Sequence, residues 1–124
     1  MAVDDVRMIL RALSEVRDRD FYPLWVRLTY AWPSPLPQIN FRIYSVADSD
    51  DVQVSVWVSG CRPDGTDVSW GLRIRTEEDR LVVGATISAA EDELFDRSLI
   101  CTDTPTTAEA IHTLAAEICG RELP

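Results

Sequence analysis

One histidine, three cysteines and a few closely spaced aspartates are the residues of this 124-residue chain best equipped for chemistry. His112, the only histidine, falls beside the apolar stripe of a C-terminal helical pattern. It could act as the base of a nucleophilic pair only with a distant Ser, Thr or Cys folded against it, and no spacing singles one out. It reads as a half-buried helix residue. Cys61, Cys101 and Cys119 form no CxxC pair, and with one histidine they lack the paired spacing of a structural zinc site. An odd number of scattered cysteines is read as reduced thiols in a cytoplasmic protein.

The carboxylates give no stronger signal. Asp48-Ser49-Asp50-Asp51 opens like a calcium loop of alternating acids, but Ser59 stands where that loop needs its bidentate glutamate. It reads as a solvated turn, and Asp18 and Asp20 read as acids at a helix exit. General acid–base work needs a carboxylate whose surroundings raise its pKa; Asp96, in an apolar stretch, comes nearest. The five glycines are isolated, so no phosphate-cradling loop is present. The chain is expected to have no catalytic residue, no metal and no cofactor. A binding protein is expected, not an enzyme.

The elements that would carry these residues can be read from periodicity. Val3, Val6, Ile9, Leu10, Leu13 and Val16 recur at helical spacing over 3–18. The β-branched and aromatic residues from Trp25 to Trp32 predict a strand. Pro33, Pro35 and Pro37 then form a stiff connection outside any ladder. Further strands are predicted over 39–46, 52–59, 68–76 and 81–89, separated by polar turns that include Arg62-Pro63-Asp64-Gly65. The stretch 94–101 is expected to be a sixth strand, with a short helix beginning near Glu91 as the alternative. Thr106 and Glu109 have capping-box spacing, Ile111, Leu114, Ala115 and Ile118 form a buried stripe, and Gly120 suits a C′ position. The expected fold is one α+β domain over 1–124. It is an antiparallel five- or six-stranded meander sheet with N-terminal and C-terminal helices packed on one face.

Composition narrows the partners. The net charge of −9 disfavours nucleic acid and anionic membranes, both of which are held through Lys and Arg, and it suits a basic protein. No apolar run is long enough for a membrane span, and the acidic start Asp4-Asp5 is unlike a secretory signal. All 12 basic residues are arginine, the bias expected of a GC-rich bacterial genome.

Two surfaces are expected to matter. Strand alternation places Trp25, Arg27, Arg42, Tyr44, Trp57, Arg73 and Arg75 on the outer sheet face with almost no acid, and Trp, Tyr and Arg dominate binding hot spots. Asp48, Asp50, Asp51, Glu77, Glu78, Asp79, Glu91, Asp92 and Glu93 would form an acidic rim in three turns. The leading expectation is an immunity-type protein that binds and neutralises a basic toxin through that rim. The alternatives are a secretion-chaperone-like protein, an anion-binding domain using the Arg/Trp face, and a homodimer formed through that face.

Overall fold

The computed structural model describes residues 3–45, 52–78 and 80–124, without the side chains of 3, 4, 43–45 and 52. Helix α1 (Val3–Val16) runs through a π-helical turn (Arg17–Phe21) into helix α2 (Tyr22–Ala31). Strands β1 (Gln38–Ser45), β2 (Val52–Cys61), β3 (Asp67–Glu77), β4 (Arg80–Ala89) and β5 (Asp92–Cys101) follow, and helix α3 (Thr104–Cys119) closes the chain. The strands lie in sequence order and pair antiparallel throughout, so the sheet is a five-stranded meander. β5 is a strand, as expected, with one bulge at Leu94 opposite Ile87 and Ser88.

The predicted strand over 25–32 is a helix. Its residue types suit a strand, but their spacing decides otherwise. Phe21, Leu24 and Leu28, at i, i+3 and i+7, are all fully buried, which is the period of one helix face. Pro23 sits in the first turn of α2, directly after the π turn. Thr29 Oγ1 donates back to the Trp25 carbonyl at 2.9 Å, and Tyr30, which a strand with Trp25 and Arg27 facing outward would turn inward, is 85% exposed. The helix ends at Trp32, ahead of Pro33, as the steric restriction on a residue before proline requires.

All three helices lie on one side of the sheet. α3 packs on β3, β4 and β5, α2 and the π turn reach β1 and β2, and α1 packs on α3. Register puts Val56, Val58, Trp70, Leu72, Ile74, Val83, Ala85 and Ile87 on this inner face, where they are buried against Val16, Phe21, Leu24, Leu28, Ile111, Leu114 and Ile118. Gly60 lets the end of α2 press against β2. A Cβ there would stand 3.3 Å from the Trp32 ring and 3.4 Å from Leu28 Cδ1. Trp32 in turn packs on Trp70, with ring centroids 6.1 Å apart.

The C-terminal helix starts earlier than its capping-box spacing suggested. Asp103 is the N-cap and accepts a hydrogen bond from the Thr106 N–H at 2.7 Å, with Pro105 in the first turn. Thr107, the one buried polar or charged residue among the described residues apart from glycine, donates its hydroxyl to the Asp103 carbonyl at 2.7 Å. Gly120 is the C-cap with φ −84°, so it is not a left-handed C′ residue. Its need for glycine is spatial, because a Cβ would lie 2.8 Å from the Ala116 carbonyl oxygen.

Candidate binding face of the sheet

With the helices on one side, no element among the described residues covers the other side of the meander. Its rows follow from register. Arg42, Ser55, Arg73, Gly84 and Ser98 lie side by side across five strands. The next row reads Asn40, Trp57, Gly71, Thr86 and Asp96. Directly opposed residues have Cβ atoms about 5 Å apart, so Arg42 and Arg73 straddle Ser55 at about 10 Å.

These residues border an open depression of about 250 Å³ lined by Arg42, Ser55, Trp57, Gly71, Arg73 and Gly84. The half-buried Trp57 walls one side, and the two arginines carry the positive charge. Arg73 is exposed and enters none of the ion pairs among the described residues. Arg75, one row further along, is paired with Glu77 at 3.3 Å.

Gly71 and Gly84 make the depression. Glycine inside a strand costs roughly 0.5–1 kcal/mol relative to alanine and offers no side chain to pack. Neither position has the positive φ that would demand it. A Cβ on Gly71 would meet only Thr86 Oγ1 at 3.5 Å and Trp57 Cβ at 3.9 Å, which are ordinary contacts. On Gly84 it would meet Ser98 Oγ at 3.2 Å, the end of a side chain able to turn away.

Of the expected face residues, the structure brings together Arg42, Trp57 and Arg73, with Arg75 alongside. Tyr44 follows in the register opposite Gln53, and its side chain lies outside the described residues. Trp25 and Arg27 do not belong to the face, because α2 carries them to the helical side. Trp25 stacks on Tyr22 at 5.8 Å and donates its indole N–H to the Pro37 carbonyl at 2.7 Å. Arg27 donates to the Cys119 carbonyl and to that of Arg121 at 3.3 Å, tying α2 to the end of α3. Nor is the face free of acid, since Asp96 and Glu93 stand on its β5 margin. Ser55, Gly71 and Gly84 are not among the residues expected on this face, although a glycine in mid-strand is itself a signal of close approach.

The five expected rim acids among the described residues fall at the two ends of the sheet. Asp48, Asp50, Asp51 and Asp79 lie outside the described residues. Glu77 and Glu78, at the β3–β4 turn, are paired with Arg75 at 3.3 Å and Arg80 at 3.8 Å. Glu91, Asp92 and Glu93 are exposed at the opposite end of the sheet, where the Ala90 N–H donates to the Asp67 carbonyl at 2.9 Å. None of these three acids is in an ion pair among the described residues.

The reactive side chains are engaged elsewhere. His112 Nε2 lies 3.0 Å from Glu15 Oε2 and joins α3 to α1, while its Nδ1 is buried without a hydrogen-bond partner among the described residues. The three cysteines are unpaired. Burial pushes the Cys119 thiol up to about 12, with Asp20 adding to the rise and Arg27 opposing it. Cys101 and Cys61 are also raised, each chiefly by burial. A thiolate is the attacking form of cysteine, so these environments suppress nucleophilicity.

Among the described residues no group of three or more His, Cys, Asp or Glu could hold a metal ion, and no helix is long and apolar enough to cross a membrane. No protein-family model matches the chain, and no curated protein or solved structure matches it.

Proposed function

We propose that this chain is a protein-binding domain that acts by occupying a partner, as an immunity-type inhibitor or a secretion chaperone does, and that its contact surface is the outer face of the sheet. One observation carries the reading. Trp57 and two arginines border a depression kept open by glycines that the backbone does not require. Tryptophan and arginine provide large contact area, stacking and bidentate hydrogen bonding, which is why they dominate the centres of protein interfaces. Three unpaired thiols fit a reducing, cytoplasmic setting. The neutral thiols and the engaged histidine favour binding over catalysis as the role.

The uncompensated Glu91-Asp92-Glu93 turn favours a second reading, in which a basic partner docks at that end of the sheet through charge. The readings separate when the partner is co-purified from the native cells. Trp57→Ala combined with Arg73→Glu is expected to release it, and reversal of Glu91, Asp92 and Glu93 to lysine is expected to leave it bound. The opposite pattern would move the docking site to the acidic end. Retention by both variants would remove both surfaces.

A further inference from the structure

The two edges of the sheet are built differently. β5 carries one bulge and four charged residues, Asp92, Glu93, Asp96 and Arg97. The guanidinium of Arg121, just past α3, lies 4.3 Å from the centre of its Phe95 ring. Bulges and charges keep an edge from pairing with another chain. β1 has no bulge: its eight residues pair with β2 without a register shift, and Arg42 is its only charge. Among the described residues no backbone group pairs with the outer edge of β1.

The core is also unfinished there. Ile39 and Phe41 stand on the helix side of β1, opposite Val58 and Val56. The two valines are 0% and 1% exposed, whereas Ile39 is 37% and Phe41 49% exposed. On α1, Leu10 lines a cleft with Phe41, and Val6, one helical turn earlier, is half-exposed like it. The helix layer therefore stops short of the edge strand and leaves an apolar groove between α1 and β1.

We infer that a second copy of this chain completes the sheet at β1. The two β1 strands pair antiparallel about a two-fold axis at Phe41, so Gln38 to Tyr44 of one copy run against Tyr44 to Gln38 of the other. The two Phe41 rings meet on the helix side, between the two copies of Leu10. Pattern selects this occupant. Any strand added here needs apolar side chains toward the helices and no positive charge opposite Arg42. β1 itself meets both demands, because Phe41 meets Phe41 and Arg42 meets Asn40. Moving the axis on by one residue would set Arg42 against Arg42, a destabilising like-charge pair. A two-fold contact also closes both open edges at once, since each copy offers the surface it receives.

The net charge of −9 does not oppose the contact locally. Glu77, Glu78, Glu91, Asp92 and Glu93 lie at the ends of β3, β4 and β5, two or more strand spacings from the joint. That is about 10 Å or more, and physiological salt screens charge over about 8 Å. Four half-exposed side chains and one strand edge make a contact smaller than the roughly 800 Å² per partner of a standard interface, so the dimer is reversible. Joining edge to edge leaves the outer faces uncovered in one ten-stranded sheet, and Trp57 of each copy stays open to the partner proposed above.

Sedimentation equilibrium of the full chain, from about 1 µM to 1 mM, reads the association. The mass is expected to rise from monomer toward dimer. Phe41→Lys and Leu10→Lys, half-exposed positions on different elements, should each weaken the dimer at least tenfold, and Trp57→Ala should leave it unchanged. Hydrogen exchange read by mass spectrometry needs no variant. The peptide spanning β1 should take up deuterium more slowly at the top of the series than at the bottom, and β5 should not change. A monomer at every concentration would overturn the inference, as would β1 exchange that ignores concentration. A dimer that survives both lysine substitutions would do the same, and one that Trp57→Ala then dissociates would lie on the outer face instead.

Discussion

Leu28 and Tyr30 offer a direct test of how the second helix is packed. In a strand they would share one face, and truncating either would open the same core. In the helix they point in different directions. Leu28 is fully buried, with its Cδ1 close to Gly60 on β2, whereas Tyr30 is 85% exposed. Leu28→Ala removes buried carbon and leaves a cavity beside the backbone of β2, which relaxes little. Such truncations cost 2–5 kcal/mol, and about 3 kcal/mol is expected here. Tyr30→Ala removes a ring already in water and should change stability by no more than about 0.5 kcal/mol. For a chain of this length 1 kcal/mol moves Tm by roughly 4 °C, so the two variants should differ by about 10 °C. Urea unfolding followed by circular dichroism gives the free energies directly, and m should be unchanged if only the native state is affected. Gly60→Ala approaches the contact from the other side. Its added methyl meets Trp32 and Leu28 at 3.3 and 3.4 Å, so about 1–3 kcal/mol should be lost. Comparable losses from Leu28→Ala and Tyr30→Ala, or a neutral Gly60→Ala, would refute the packing.

Three further outcomes follow from groups whose titration the fold shifts. Hydrogen bonds from Thr106 hold the Asp103 carboxyl below its usual range, so its stabilising contribution is full above about pH 4 and is lost as pH falls toward the lower folded value. Asp103→Asn should retain a cap but flatten the acid limb of stability against pH, as read by thermal melts between pH 2 and 6. The Cys119 thiol is raised to about 12, so the unfolded chain loses that proton first as pH climbs above about 9, and stability should fall between pH 9 and 12. Cys119→Ala should lessen that loss. In timed alkylation of the native protein at pH 8, followed by mass spectrometry, the partly exposed Cys61 should react before the buried Cys101 and Cys119.

Local signals in the sequence determined the meander. Alternation in 52–59 and 68–76, the Pro63-Asp64-Gly65 turn and the helical spacing of Ile9, Leu13 and Val16 each depend on neighbours a few residues away. A register that places one side of each strand in the core also fixes what the other side shows, so Arg42, Trp57 and Arg73 could be assigned to one face without coordinates. Tertiary structure decided residues 22–32, where strand-forming residue types coincide with a helical period of Phe21, Leu24 and Leu28. Propensity is a weak prior, and the prize for burying three large side chains between α3 and β2 outweighs it. That choice removed Trp25 and Arg27 from the sheet face. Tertiary structure also decided what Gly71 and Gly84 are for. A glycine's role depends on what stands around the absent Cβ, and those neighbours, Trp57, Thr86 and Ser98, come from other strands that only the folded sheet brings alongside.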